Sequence, residues 1–320
     1  MDNRWFRLGD HCRYLAKAMN EPRTQKTRKR LHFRLSSLLA AIAIVAVALI
    51  VWNNRAERQR EASKWVSDAG ARVEFDFEFT EDFRRERSAE PNVPEWLLKF
   101  LDVHYFANVV NVNGVQPRNG DLSAVADLVH LRGLTIDTRL TTEDLKFLSS
   151  LKELERLTFA NPEQLTELNS IAGLTKLQEL WLESSQVSSL APLANFAELR
   201  ELKITNAKFD DLSPLRNLSN LEKLDVGGCE ISDLEPLTDL TSLLELDVGD
   251  TRIDDITSLV GLKNLRYLNL GSNPIADFSP IEELQNLKYL NLQGTGIDEN
   301  SLQRLTMALP KCKVFADGAR

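Results

Sequence analysis

One phrase of apolar residues recurs from residue 109 to the C-terminus, and it constrains the fold more than any other feature. Its first leucine position returns with a period of about 22 residues, a length typical of structural repeats that stack. The last seven positions are equally spaced. In such a stack each repeat contacts only its neighbours. The starting positions are Val109, Leu131, Leu154, Leu177, Leu199, Leu221, Leu243, Leu265, Leu287 and Leu309.

Each repeat predicts a short strand followed by a tight return. Apolar residues at positions 3 and 5 lie on one face of the strand, because side chains alternate along it. The return half has the form of Asp211–Leu215, in which an aspartate and a proline begin a helical turn. The return is so short that 3₁₀ turns fit best, except at 141–151 and 298–308, which predict short helices. The prediction is an α/β solenoid with a parallel β-sheet on its concave face and short 3₁₀ or α turns on its convex face.

The uncharged stretch from Leu35 to Trp52 is the second informative feature. Sixteen of its eighteen residues are apolar, and an α-helix of that length spans about 27 Å, close to the thickness of a bilayer core. A buried core helix normally has a polar side, which this stretch lacks. A cleaved signal peptide normally has a short basic head, whereas the head here runs from Met1 to Arg34. We therefore predict one retained transmembrane helix, with cleavage as the alternative.

Charge is distributed unevenly about this predicted helix. Residues 1–34 carry a net charge of +7, and the chain after residue 52 carries −15. The basic excess is larger on the N-terminal side of the helix, which predicts a cytoplasmic N-terminus and a periplasmic or extracellular repeat domain. Because the basic head adjoins the helix, we expect it to hold anionic lipid and not nucleic acid.

These features divide the chain into five predicted parts. A basic cytoplasmic head (1–34) precedes the transmembrane helix (35–52) and a helical stalk (53–71). An N-terminal cap then covers the end of the stack, which would otherwise face water. The cap contains an alternating strand, Arg72–Phe79, and a short helix, Pro94–Leu101. The predicted boundaries of the last two parts are 72–108 for the cap and 109–320 for the repeat domain, with about nine repeats and a terminal strand.

The repeats resemble a known family. The phrase LxxLxLxxTxIxDLxPLxxLxx, seen in Leu243–Asn264 and Leu265–Asn286, is similar to the 22-residue leucine-rich repeats of bacterial internalin-like proteins. The wider layout also resembles the membrane-anchored leucine-rich repeat proteins of planctomycete bacteria, through the basic head with Phe33–Leu39, the strand Gly70–Phe79, the helix Pro94–Leu101 and the closing segment Leu309–Val314. The resemblance implies a leucine-rich repeat solenoid that binds a protein or another ligand, and it names no partner. It does not carry over an invasion function, because internalins have a different N-terminal cap and usually attach to the cell wall.

Strand positions that point away from the core form the predicted concave face. Three of them are aromatic on an otherwise polar sheet, and exposed aromatic side chains are common anchors of protein interfaces. The alternative is that these rings only shield the backbone of a solvated face. The predicted binding residues are Trp181, Lys203, Asp225, Glu245, Asp247, Tyr267, Asn269, Tyr289 and Asn291.

Catalysis and metal binding have little support in the sequence. The acidic patch of Asp225, Glu245 and Asp247 can attract a basic partner, but one carboxylate per strand does not close a cage around a cation. General acid–base catalysis needs a desolvating pocket, which an open sheet lacks. We therefore expect no enzymatic activity, no cofactor and no metal site.

Small residues recur at position 8 of the repeats, where we expect them to hydrogen-bond the loop backbone. Cys229 is one of them and is therefore expected to be structural, while Cys312 is expected to be buried at position 3 of the final strand. The position-8 residues are Ser185, Ala207, Cys229, Thr251, Asn273 and Thr295.

The sequence favours a membrane-tethered platform that binds a protein or envelope ligand through its concave face. One alternative is a regulatory subunit whose repeats face the cytoplasm and wrap a partner enzyme. Another is a purely architectural protein of the cell envelope. Nucleic acid is not an expected partner.

Overall fold

The structure is a computed structural model, and it describes residues 35–78, 101–105, 107–116, 121–137, 139–160 and 162–317, with residues 91, 93, 94 and 98. The predicted basic head, including Cys12, lies outside the described residues, as does most of the predicted cap helix at 94–101. The chain divides into two compact units, with the boundary after Ile50.

The described part of the first unit belongs to a long helix, α1, which runs from Leu35 to Asp68. Every residue from Ala40 to Arg55 is exposed, and Ile44 reaches 70% exposure. Within the described residues, α1 is the helix whose length and composition suffice to cross a membrane. The predicted transmembrane segment and the predicted stalk therefore share one continuous helix.

One eleven-stranded sheet organises the second unit, and its strands follow one another in chain order. The first pair, β1 and β2, is antiparallel, and each later pair is parallel. This arrangement confirms the predicted solenoid. The strands are β1 (Arg72–Phe75), β2 (Val109–Val115), β3 (Gly133–Ile136), β4 (Arg156–Phe159), β5 (Glu179–Glu183), β6 (Glu201–Thr205), β7 (Lys223–Asp225), β8 (Glu245–Asp247), β9 (Tyr267–Asn269), β10 (Tyr289–Asn291) and β11 (Lys313–Phe315).

The predicted apolar positions fill the core of the solenoid. In the repeat that begins at residue 243, seven apolar side chains are each at most 1% exposed. Full burial of such a side chain contributes about 1.5–3 kcal/mol, which offsets the entropy lost on ordering the chain. The seven side chains are Leu243, Leu246, Val248, Ile253, Ile256, Leu259 and Leu262. Each repeat covers its neighbours, so successive turns stabilise one another.

Between β2 and β10 the returns are 3₁₀ turns, as predicted for all of them except the segment 141–151. Their aspartates accept hydrogen bonds from the backbone two residues later, as in Ser213 N to Asp211 Oδ1 at 2.7 Å and Thr257 N to Asp255 Oδ1 at 2.8 Å. Each bond satisfies a donor that has no partner inside the turn. The turns are Ser123–Asp127, Thr142–Ser150, Asn169–Ile171, Ala191–Leu193, Ser213–Leu215, Glu235–Leu237, Thr257–Gly261 and Ser279–Glu283.

Of the two predicted short helices, one is an α-helix and the other is not. Helix α2, Glu299–Ala308, begins after Asp298, whose side chain accepts hydrogen bonds from two backbone N–H groups of its first turn. The segment 141–151 instead forms a nine-residue 3₁₀ helix. Its buried leucines, Leu145, Leu148 and Leu151, are spaced by three residues. That spacing matches the three-residue turn of a 3₁₀ helix, which keeps all three side chains on the core side.

The N-terminal edge strand is shorter than predicted. Pairing between β1 and β2 shifts register after Glu74, and Asp76–Glu78 then form a 3₁₀ turn, so the strand does not reach Phe79, which lies outside the described residues. The alternation in Arg72–Phe79 puts Glu74 on the polar face of the predicted strand, but Glu74 is only 7% exposed. The side chain of Asn111 donates to its carboxylate at 3.3 Å, and Arg72 Nε lies 3.4 Å from it.

The C-terminal part of α1 covers the start of the sheet. Ala62 and Val66 are 2% and 0% exposed and belong to the same apolar core as β2. Gln59 Nε2 donates to the carbonyl of Ala107 at 2.7 Å. This face of α1 therefore shields the first repeat from water, together with β1.

The last repeat departs from the predicted spacing. Val314 pairs with Leu290, and Leu290 pairs with Leu268, so the interval from β10 to β11 is longer than the interval from β9 to β10. Helix α2 lengthens this return, so Val314 and not Cys312 occupies position 3. Cys312 precedes β11 and is only partly buried, and this burial raises the pKa of its thiol to about 11.

Candidate functional site

The outward-facing residues of β4–β10 form two columns, which we call the concave face. Parallel register places one residue of each column on every strand. Neighbouring strands are about 4.8 Å apart, so adjacent side chains of a column can touch. The first column is Arg156, Glu179, Glu201, Lys223, Glu245, Tyr267 and Tyr289, and the second is Thr158, Trp181, Lys203, Asp225, Asp247, Asn269 and Asn291. The structure places all nine predicted binding residues in these columns.

The three aromatic side chains of the concave face are exposed. Tyr267 and Tyr289 are 37% and 50% exposed and lie on the neighbouring strands β9 and β10. Trp181 is 37% exposed on β5, four strands from Tyr267, which corresponds to about 19 Å. The aromatic residues therefore flank the face at both ends and do not form one cluster.

Charged side chains occupy the area between the aromatic residues. Lys203 Nζ lies 2.7 Å from a Glu183 carboxylate oxygen and 3.7 Å from one of Asp225. The hydrogen bond with Glu183 raises the pKa of Lys203, so this ammonium group is charged at neutral pH. In the first column, Lys223 Nζ lies 3.8 Å from a carboxylate oxygen of Glu201 and 3.7 Å from one of Glu245. Such exposed pairs contribute little stability, and their main effect is on the charge pattern.

Two carboxylates meet at the centre of the face. Asp225 and Asp247 are paired across β7 and β8. Burial, followed by the charge of Asp247, raises the pKa of Asp225, while the Gly227 N–H and Lys203 act in the opposite direction. The same carboxylates, after burial, raise the pKa of the Tyr267 phenol. The centre of the concave face is therefore negative and favours a positively charged group.

A ladder of amide side chains continues from this pair toward the C-terminus. Asn291 Nδ2 donates to Asn269 Oδ1 at 2.9 Å, and Asn269 Nδ2 donates to Asp247 Oδ1 at 2.9 Å. Each rung also accepts the backbone N–H two residues later, as Asn269 does from Gly271 at 3.0 Å. These bonds hold the side chains in one orientation, so binding costs little further ordering.

Five residues of the second column, Lys203, Asp225, Asp247, Asn269 and Asn291, line a groove of about 470 Å³ along the ends of β6–β10, which sequence reasoning missed. Its floor includes Gly227, Gly249 and Gly271, which recur at position 6 of three successive repeats. A Cβ at Gly249 would lie 2.7 Å from Nδ2 of Asn269, so a side chain here would displace the ladder. The repeated glycine after each strand was the signal for this groove.

The position-8 residues stabilise the repeat junctions. Thr251, Asn273 and Thr295 donate to backbone carbonyls, and Cys229 Sγ donates to the carbonyl of Ile204 at 3.2 Å. Ser185 does not follow the expectation, since its buried hydroxyl has no hydrogen-bond partner among the described residues. Within the same residues, no group of three His, Cys, Asp or Glu side chains is arranged to hold a metal ion.

Comparison with known proteins bears on the repeat domain. A family model for leucine-rich repeats, in two copies, matches residues 219–261 and 263–306. No curated protein sequence matches the chain at a significant level. A solved internalin, InlF from Listeria monocytogenes, is 27% identical with a TM-score of 0.55, over 62% of this chain and 71% of the internalin.

Two further solved structures from Listeria monocytogenes are similar to the chain. Internalin C2 is 30% identical with a TM-score of 0.51, over 60% of this chain and 83% of its own. The functional domain of InlJ is 24% identical with a TM-score of 0.55, over 69% of this chain and 46% of its own, and it shows the fold alone. Domains of this fold are typical platforms for protein recognition. Since internalin C2 is 30% identical over 83% of its length, the chain belongs to the leucine-rich repeat proteins.

Proposed function

We propose that this protein is a single-pass membrane protein that presents its repeat domain outside the cytoplasm and binds a protein or envelope ligand through the concave face. One arrangement carries the proposal. Aromatic side chains are exposed on a polar sheet, and hydrogen bonds already hold the side chains of the amide ladder between and beside them in one orientation. Trp and Tyr bury a large apolar area when a partner covers them, and they lose few rotamers.

Charge narrows the kind of partner that the concave face accepts. Asp225, Asp247 and Glu245 lie between Trp181 on one side and Tyr267 on the other. Opposite charge across an interface speeds association and selects among partners. The proposed partner therefore has a positively charged surface that meets the central carboxylates, with apolar groups that cover the flanking rings.

The proposed membrane tether is supported by the exposed apolar surface of α1. From Ala40 to Val51 its side chains are exposed on all sides, as expected for a helix whose solvent is lipid. Trp52 ends the apolar stretch, and Trp is enriched at membrane interfaces. A cleaved signal sequence, repeats that face the cytoplasm and an architectural role are the alternatives that experiment must separate.

Site-specific photo-crosslinking in cells tests the binding face. A photoreactive residue placed at Trp181, Tyr267 or Tyr289 should give adducts with one common partner. Matched controls are Val260 and Met307, which are 38% and 70% exposed but lie on a return turn and on α2. Adducts that form at the control positions and not at the aromatic positions would contradict the choice of surface.

Extraction and protease access test the tether. The full chain should stay with membranes in alkaline carbonate, and protease should digest the repeat domain once any outer membrane is opened. Release by carbonate would contradict a retained anchor. Protection of the repeats from protease in carbonate-resistant protein would favour the cytoplasmic alternative.

A further inference from the structure

A recess of about 310 Å³ lies beside α1, apart from the concave face. One wall is formed by α1 and the other by the end of the turn Ser123–Asp127 and the residues after it. The residues that line it are Val51, Asn54, Arg55, Arg58, Asp127 and Val129. Neither the predicted binding face nor the repeat pattern accounts for this recess.

We propose that this recess binds the phosphate of a membrane phospholipid through the guanidinium groups of Arg55 and Arg58. The inference rests on the proposed insertion of residues 35–52 into a bilayer. It gives the second unit its own contact with the lipid headgroups, in addition to the apolar helix.

The positions of the two arginines along α1 suit this role. At 1.5 Å per residue, Arg55 lies about 4.5 Å and Arg58 about 9 Å beyond Trp52, the end of the apolar stretch. The headgroup layer on each side of a bilayer is about 5–7 Å thick. Tilt of the helix reduces both heights, and an arginine side chain is long enough to reach back toward the membrane. Both guanidinium groups therefore reach the level of the lipid phosphates.

Hydrogen-bonding capacity remains available in the recess. Arg55 donates to Asn108 Oδ1 at 2.6 Å, which uses one of the five N–H donors of its guanidinium. Arg58 makes no ion pair with any described residue. Guanidinium groups bind phosphate oxygens in a bidentate manner, and the Asn54 amide supplies a further donor.

The charge of the recess is positive overall. Two guanidinium groups face one carboxylate, that of Asp127, so the lining residues carry a net charge of +1. His130, the residue after Val129, is partly buried. Burial, followed by the charge of Arg55, lowers the pKa of His130, so the imidazole is neutral at pH 7 and does not change this balance.

Exposed apolar side chains favour a lipid over a soluble anion. Val51 and Val129 are 61% and 42% exposed at the recess. Free phosphate would satisfy the arginines but leave both valines in water. The glycerol and upper acyl groups of a phospholipid would cover them, which adds the burial of apolar surface to the ionic contacts.

Native mass spectrometry of the full chain in mild detergent tests the site, with phosphatidylglycerol as the probe. Wild-type protein should retain phosphatidylglycerol, and Arg58→Gln should weaken its retention about tenfold, the effect of losing one charge-assisted contact. Asp127→Asn should strengthen retention, because it removes the carboxylate that opposes the phosphate. The matched control is Arg60→Gln on the same helix, since Arg60 Nη2 already pairs with Glu57 at 2.7 Å.

Three results would overturn the inference. One is an equal loss of phosphatidylglycerol in Arg58→Gln and Arg60→Gln. Another is unchanged retention of phosphatidylglycerol in both Arg58→Gln and Asp127→Asn. The third is displacement of the lipid by millimolar inorganic phosphate, which would assign the recess to a soluble anion. Failure of the proposed tether is distinguishable, because it would appear as release of the wild-type chain from membranes by carbonate.

Discussion

Asn273 joins two successive repeats inside the core, and its replacement is the sharpest test of how the solenoid is held together. The residue is 1% exposed. Its Nδ2 donates to the carbonyls of Val248 at 2.7 Å and Leu270 at 3.1 Å. Its Oδ1 accepts from the Ile253 N–H at 3.1 Å and, 2.7 Å from Thr251 Oγ1, competes with the Val248 carbonyl for the single proton of that hydroxyl.

Asn273→Ala should lower the free energy of unfolding by about 2–6 kcal/mol. The substitution removes the side-chain partners of the Ile253 N–H and the Leu270 carbonyl, and each buried backbone group left unpaired costs about 1–3 kcal/mol. The Val248 carbonyl is not counted, because it still accepts from the Thr251 hydroxyl at 2.8 Å.

Urea unfolding of the full chain in detergent micelles, followed by circular dichroism, measures this loss. The matched control is Asn264→Ala, because the exposed amide of Asn264 makes one bond, to the Thr241 carbonyl at 2.8 Å. The control should lose less than about 1 kcal/mol, since water can replace that bond. Equal losses in the two variants would refute the claim that Asn273 acts through buried, unpaired groups.

Two further predictions concern the concave face and the core. Asp247→Asn should raise the free energy of unfolding at pH 7 by about 0.5–1.5 kcal/mol, as measured by urea unfolding, because the new amide can donate to Asp225 and extend the ladder. Since the pKa of Asp225 is raised in the folded state, the contribution of Asp225 to stability falls as pH rises above about 4. The variant should show a smaller fall, and a lower urea midpoint would refute the ladder. Cys229, whose pKa burial raises to about 11, should be alkylated at pH 8 about 100-fold more slowly in the folded protein than in urea, as measured by mass spectrometry of its peptide.

Leucine spacing was sufficient to predict the repeats, their strands and the residues that face inward or outward. Alternation along a strand assigns each side chain to a face, and a constant period aligns equivalent residues on neighbouring strands. For this reason the period alone places Tyr267 and Tyr289 side by side. The aspartates that begin the turns were predictable too, because their hydrogen bonds join residues two positions apart.

Errors arose where the period or the local geometry changed. Position 3 of the last repeat was assigned to Cys312 and belongs to Val314, because α2 lengthens the return before β11. The segment 141–151 was expected to be α-helical, but its three-residue leucine spacing suits a 3₁₀ helix. Both signals are present in the sequence, although a uniform 22-residue repeat conceals them.

The repeat pattern in the sequence determines the solenoid core and the residues that make up the concave face. Both follow from the spacing of residues that are close in sequence. The amide ladder, the glycine-lined groove and the recess at Arg55 and Arg58 required the folded chain. The period places Asn269 beside Asp247, but the side-chain orientations that make their hydrogen bond are decided in the folded chain, and the recess depends on contacts distant in sequence, such as the bond between Arg55 and Asn108. Distances of this kind are determined by how the turns stack and where α1 packs, which local patterns do not encode.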